Sequence, residues 1–314
     1  MDLKSIDWFV RIAETGSLSR AALDLDVSPS MLSRGIRDLE RRVGQPLFQR
    51  TGRGMQPTEF GWRLLPLARR ATLEFRRFND EANALRGRLS GTVAIGLPGS
   101  VAARVVAPLV RLAVEKMPDV SLRFVESLSG GIEERLATRR IDIGLAFEHE
   151  SRVTRAMVPL ASSSLYLIGP AGDPLTARSS VPLSRLATCG VMLPGRPHSV
   201  RTMVEDVCAE RGIALKVLFE IESLLAIRET VAAGCGHTIA GFSSVAREVA
   251  AGLLQATPLR DPTINRVLVM TTGPRNAVTS AARAVSELIL RVAGELVANG
   301  TWRAPSGATT QSAR

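Results

Sequence analysis

The side chains best suited to covalent or metal chemistry are few and scattered. Three cysteines, Cys189, Cys208 and Cys235, and three histidines, His149, His198 and His237, are the whole supply. Cys235 and His237 stand two apart in GCGH, and a Cys–His couple makes a nucleophile when the base touches the sulfur and a third group orients it. Positions so close in sequence rarely give that geometry, and no orienting group is evident beside them. No CxxC or other zinc-ligand spacing is present. Gly234, Gly236 and Gly241 do not form a dinucleotide fingerprint, because the third glycine is misplaced and no acidic residue follows at the required interval. The expectation is a non-enzyme with no cofactor and no metal, its cysteines reduced and partly buried.

A different chemistry is concentrated near the N-terminus. The chain of 314 residues has a formal charge of +10, which points to polyanions or acidic ligands. Residues 1–90 carry 16 basic and 11 acidic side chains against 24 and 19 in residues 91–314, so the shorter part is the more densely charged. Within it, residues 34–77 hold eleven arginines and four acids. The stretch SRAALDLDVSPSMLSRGIRDLE, residues 19–40, places hydroxyls and guanidiniums together: Ser30, Ser33, Arg34, Arg37 and Arg41 fall on one side of a helical repeat.

The elements that must hold these groups follow from spacing. Ile6, Phe9, Val10 and Ala13 recur at helical intervals, and Gly16 then Ser17 give a stop and a new N-cap. A short second helix passes through Ala21, Ala22 and Leu25, with a turn at residues 25–27. Ser28 is a good N-cap and Pro29 suits the first helical position. Leu32, Ile36, Leu39 and Val43 then form one apolar stripe. The pattern is a helix-turn-helix whose second helix has a small, polar leading face able to enter a major groove. An ordinary amphipathic helix with a solvated face fits the same periodicity. GQPLFQRTGRGMQPT, residues 44–58, favours the first reading, since it has the punctuation of a β-wing and carries Arg50 and Arg53.

Beyond Thr58, Leu64, Ala68, Ala71, Phe75, Phe78, Ala82, Leu85 and Leu89 alternate spacings of four and three, a heptad seam. A helix of on the order of 40 Å at about 1.5 Å per residue suits pairing with a second copy of itself, through Phe75, Phe78 and Leu85; a bundle helix within one chain is the alternative. Pro66 is expected to kink or restart it.

These motifs resemble the N-terminal domain of LysR-type transcriptional regulators. The resemblance rests on Phe9, GSLSRAA at 16–22, VS..MLSRGIRDLE at 27–40, LFQR at 47–50 and PTEFG at 57–61, in order over about sixty residues. It implies a winged helix-turn-helix at residues 1–60 and a dimerising linker helix at 61–90, with Ser28, Pro29, Ser30, Ser33, Arg34, Arg37, Arg50 and Arg53 meeting double-stranded promoter DNA. Two positions depart from the usual pattern: Pro29 stands where the family commonly has Gln, and Gly35 where a longer polar side chain is frequent. Gly35 is expected to loosen the helix by up to about 1 kcal/mol relative to Ala.

After the polar break RGRLSG at 86–91, short apolar strands alternate with helices, the texture of a parallel, wrapped α/β sheet. GTVAIG at 91–96, Pro108, RRIDIGLAF at 139–147 and AAGCGHTI at 232–239 resemble the family's effector-binding domain, a periplasmic-binding-protein-like fold of two α/β lobes. The implied domain covers residues 91–300, with lobe 1 at about 91–163 and 267–300 and lobe 2 at about 164–266; residues 301–314 are expected to be a disordered tail. IES at 221–223 gives a similarity to nitrogen-assimilation-control regulators, among which some act without a small-molecule inducer, so the need for an effector stays open.

Ser100 and Ser129 each open a helix after a strand, where free N–H groups and the positive helix end suit an anion. By the resemblance, Ser100, Ser129 and Phe147 line the cleft between lobes and His198 and Ser199 face them, which points to a small carboxylate, an organic acid, as effector. Simple capping is the alternative for each serine, and a surface or capped histidine for His198. The charged N-terminus has no apolar core for a secretory signal, and 231–246 is too short and polar to span a bilayer. A cytoplasmic homodimer or tetramer working with RNA polymerase, away from membranes, is the expectation. A solute-binding protein lacks a reason for the basic N-terminal domain, and a structural DNA binder lacks one for the two lobes.

Overall fold

The computed structural model describes residues 2–52, 54–127, 129–273, 278–303 and 305. Arg53, the side chain of Ser129 and most of the tail expected after Gly300 lie outside the described residues. The chain divides between Arg88 and Leu89 into two units.

The first unit contains α1 (Leu3–Thr15), α2 (Leu18–Asp24), α3 (Pro29–Val43), strands β1 (Phe48–Thr51) and β2 (Gly54–Pro57), and α4 (Glu59–Ala84). Local chemistry sets the boundaries. Asp2, Ser17, Ser28 and Thr58 each accept a backbone N–H at a helix start, and Gly16 ends α1 in the left-handed conformation. Leu32, Ile36 and Leu39 of α3 share one buried core with Phe9 and Ile12 of α1 and Leu65 and Ala68 of α4. Burial of each such side chain is worth about 1.5–3 kcal/mol, so the apolar stripe fixes which face of α3 remains outside. The wing hairpin pairs Phe48 with Pro57 and Thr51 with Gly54. Glu40 Oε1 accepts the N–H groups of Leu47 and Phe48 at 2.8 and 3.2 Å, which ties the wing to the end of α3.

Two expectations are corrected in this unit. Helix α4 runs unbroken through Pro66. The proline removes the donor that would serve the Trp62 carbonyl, but Pro66 and Trp62 are both exposed, where losing that donor is tolerated. The seam also divides: Leu64 and Ala68 pack into the unit's own core, whereas Leu67, Phe75, Phe78 and Leu85 are exposed. The apolar face free of the core therefore starts from Leu67 rather than Leu64.

The second unit contains β3 (Gly91–Leu97), α5 (Gly99–Lys116), β4 (Val120–Glu126), α6 (Ser129–Ala137), β5 (Ile143–His149), β6 (Val158–Pro170), β7 (Val181–Pro182), β8 (Val191–Leu193), α7 (Ser199–Glu210), β9 (Val217–Glu220), α8 (Leu224–Ala232), β10 (His237–Gly241), α9 (Ala246–Ala250), β11 (Leu254–Arg260), β12 (Asn265–Thr272) and α10 (Ser280–Ala298). The main strand order is β4-β3-β5-β12-β6-β10-β8-β9. The sheet is mixed rather than parallel. β3, β4 and β5 are parallel to one another, as are β8, β9 and β10, but β12 and β6 run antiparallel to their neighbours in the middle. β6 serves both halves: residues up to Ser164 pair with β12, and those from Leu165 pair with β10 and β11. The hydrogen bond from Leu165 N–H to Ile264 O, 3.0 Å, lies where the two halves meet.

Among the described residues no helix is long and apolar enough to cross a membrane.

Candidate DNA-binding face and effector cleft

Helix α3 presents its polar side outward. Ser28, Pro29, Ser30, Arg34 and Arg37 are exposed and Ser33 is half-buried. Ser28 Oγ accepts the Met31 N–H at 3.2 Å and lies 3.1 Å from Ser30 Oγ. Its hydroxyl is thus partly committed to capping. Arg37 donates weakly to the Ser33 carbonyl at 3.4 Å, and Arg41 is paired with Asp38. Arg34 on the helix and Arg50 on the wing are exposed and have no ion-pair partner among the described residues. Guanidiniums held in this way suit phosphate oxygens and guanine edges, both acceptor-rich.

Gly35 has a reason that its sequence position did not disclose. A Cβ there would collide with the six-membered ring of Trp8 on α1, which is 8% exposed. The glycine lets two helices approach across an indole, so any helix-propensity loss is a condition of the packing.

The second unit contains a cleft of about 490 Å³. Its wall brings together Ser100 from the start of α5, His198 from the lead-in to α7 and Arg266 from β12, along with Glu126, Glu222, Arg228 and Thr238. Of the residues expected to line it, Ser100 and His198 do. Phe147 lies beneath, buried, with Arg266 Cζ 3.7 Å above its ring centroid. Ser199 opens α7 but is not among the described lining residues, and the Ser129 side chain lies outside the described residues. At α5, Gly99 and Ser100 both line the cleft, the N-cap Pro98 offers no side-chain hydrogen bond, and the Glu126 carboxylate stands beside Gly99, the first helical residue.

Arg266 is the residue that sequence reasoning missed. Its side chain is 3% exposed, its Nε donates to Ser163 Oγ at 3.0 Å, and it has no ion pair among the described residues. Burial lowers its pKa to about 10, so it stays charged at neutral pH. Gly241 leaves the space that the guanidinium occupies: a Cβ there would displace it. The signal available in sequence was one arginine inside the apolar run INRVLVMTT. His198 caps α7 through Nδ1, which accepts the Val200 N–H at 3.2 Å. Burial, with a smaller contribution from the Arg266 charge, pulls its pKa down to about 4. It is therefore neutral at pH 7, and because Nδ1 accepts, Nε2 bears the proton.

The fold and these two sites define a winged helix-turn-helix DNA-binding protein with a ligand-cleft domain. Residues 3–62 match the bacterial regulatory helix-turn-helix proteins of the lysR family, and residues 86–294 match the LysR substrate binding domain. The chain belongs to the LysR family of DNA-binding transcriptional regulators. It is 28% identical to the nitrogen assimilation regulatory protein nac of Klebsiella aerogenes over 291 residues, 92% of this chain and 94% of that protein. In structure it is similar to a probable transcriptional regulator from Pseudomonas aeruginosa, with a TM-score of 0.69, 20% identity and coverage of 92% and 96% of the two chains. It is also similar to full-length CbnR complexed with its target DNA, with a TM-score of 0.66, 20% identity and coverage of 93% and 100%.

Proposed function

We propose that this regulator works as a homodimer, assembling further to a tetramer, that reads promoter DNA through α3 and changes its grip when a small carboxylate enters the cleft. Ser28, Ser30, Ser33, Arg34 and Arg37 contact base edges and phosphates in the major groove, Pro29 presets the helix start, and Arg50 and Arg53 follow the backbone. Phe75, Phe78 and Leu85, exposed on α4, bury one another across the pair. DNA-binding, linker and effector regions divide at about residues 60 and 90. RNA polymerase is the partner whose recruitment the change in grip alters, in the cytoplasm.

Arg266 carries the effector reading. A buried charge without a counter-charge is costly, and an anion bound beside it offsets that cost. Neutral His198 and the Ser100 hydroxyl add donors to the same wall, while Glu126 and Glu222 offer acceptors, so a carboxylate carrying an amino or hydroxyl group suits the cleft best. The test is calorimetric titration of the full chain with a panel of small amino, hydroxy and unsubstituted carboxylates and their amides. Binding of acids and not amides supports the reading; binding of amides alone, or an acid affinity unaffected by Arg266→Met, overturns it.

A further inference from the structure

His237, set aside in the sequence as a poor partner for Cys235, meets a different cysteine in the fold. His237, the first residue of β10, places Nδ1 3.4 Å from the sulfur of Cys189, which precedes β8. Its other nitrogen, Nε2, lies 3.1 Å from Asp173 Oδ2, an ion-pair distance although not aligned as a hydrogen bond. Asp173 is itself fixed by Thr176, whose N–H and hydroxyl donate to Oδ2 at 2.7 and 2.8 Å. Sulfur, imidazole and carboxylate therefore stand in line across three chain segments that are remote in sequence. They do not converge on one point, and no group of three metal-ligating side chains able to hold an ion occurs among the described residues. None of the three lines the cleft, although Thr238, next to His237, does.

The groups facing His237 are Cys189 and Asp173, with uncharged Thr176 and Gln255 behind the carboxylate. The hydrogen bond with Cys189 raises the imidazole pKa; burial opposes this, and Asp173 adds to it, to about 9. For Asp173, burial pulls upward but is outweighed by the hydrogen bonds from Thr176 and the contact with His237, so it is held below the usual carboxylate range. The ring is thus an imidazolium at neutral pH, with a proton on Nδ1 directed at sulfur. An adjacent imidazolium stabilises a thiolate over a thiol, and the thiolate is the nucleophile.

We propose that Cys189, His237 and Asp173 form a nucleophilic modification site, separate from the effector cleft, that captures α,β-unsaturated carbonyl electrophiles. The sulfur lone pair forms a bond to the β-carbon, the C=C π pair moves toward the carbonyl, and the resulting enolate takes the Nδ1 proton of His237. Nothing leaves, and no oxidant or reductant is required. Asp173 is a positioning residue that holds the ring and balances its charge. Cys189 is half-buried, Cys235 is exposed, and Cys208 is buried with its thiol pushed up to about 11, chiefly by burial.

The experiment is limited alkylation of the full chain with N-ethylmaleimide at pH 6.0–8.0, read by peptide mass spectrometry, with exposed Cys235 as the internal reference. At pH 6.5 Cys189 should react at least about tenfold faster than Cys235. Equal or faster labelling of Cys235 at pH 6.5 would overturn the proposal without recourse to any variant. In His237→Gln, shown to be folded by circular dichroism, the Cys189 rate should fall to that of Cys235. An unchanged rate in that folded variant would also overturn it.

Discussion

The face of α3 and the cleft of the second unit both use arginine without a carboxylate partner, in opposite environments. Arg34 lies in water, where an unpaired guanidinium costs nothing to maintain and ions screen it. Arg266 is 3% exposed and held by one serine hydroxyl and the face of Phe147. The same chemical group therefore supports two kinds of recognition. A solvated arginine gives salt-dependent attraction to a polyanion with discrimination at base edges, whereas a desolvated one responds strongly to a single counter-charge.

The largest change should come from removing the pairing that presents two α3 faces together. Phe75→Glu combined with Phe78→Glu places acids on an apolar face that is already exposed, so each unit should keep its fold by circular dichroism while sedimentation shows loss of the dimer. An unchanged sedimentation profile would assign pairing to another surface. Next in size, Arg266→Met should lower carboxylate affinity by about 10- to 100-fold, since hydrogen bonds to charged groups contribute about 1.5–3 kcal/mol. Without ligand the variant should melt at the same or a higher temperature, because an apolar replacement relieves an uncompensated charge. A large fall in melting temperature would mean that Arg266 is structural. Gly35→Ala should destabilise the first unit by about 1–3 kcal/mol through overpacking against Trp8, despite its better helix propensity; a gain in stability by denaturant titration would contradict that packing.

The smallest expected effect separates the two histidines of the second unit. His198, lowered from 6.5 to about 4, favours folding while neutral; its contribution is full above pH 6.5 and is lost as pH falls toward 4. His237, raised from 6.5 to about 9, contributes fully below pH 6.5 and loses that contribution as pH rises toward 9. Stability of the second unit should accordingly decline on both sides of neutrality, and His237→Gln should flatten only the alkaline side in a melting series.

What could be read from sequence follows the range of the interactions. The caps at Ser17, Ser28 and Thr58, the stop at Gly16 and the stripe Leu32, Ile36, Leu39 act within a few residues, so α1–α3 and the wing were legible as a pattern. Trp8 against Gly35 joins two helices and was not. β6 was obscured because Ser162, Ser163 and Ser164 interrupt its apolar run at the place where it passes from one half of the sheet to the other. Arg266 meets Ser163 through the antiparallel pairing of β6 with β12, which the alternation of strands and helices did not announce, and Ser100 and His198 reach the same cleft from α5 and the lead-in to α7. Cys189 and His237 are likewise brought together over 48 residues of sequence by the parallel pairing of β8 with β10.

On the proposed reading, an exposed arginine face on α3 reads a specific DNA sequence. Its most direct test is quantitative footprinting of the full chain on DNA upstream of its own gene at two salt concentrations, for the wild-type protein and Arg34→Ala. The wild type should protect a defined stretch with an affinity that falls as salt rises. Arg34→Ala should lose that selectivity, by about 1–3 kcal/mol for a base-contacting arginine, while retaining weak, salt-dependent binding to any duplex. Wild-type binding that is equal on all sequences, or a footprint that Arg34→Ala leaves unchanged, would contradict the account.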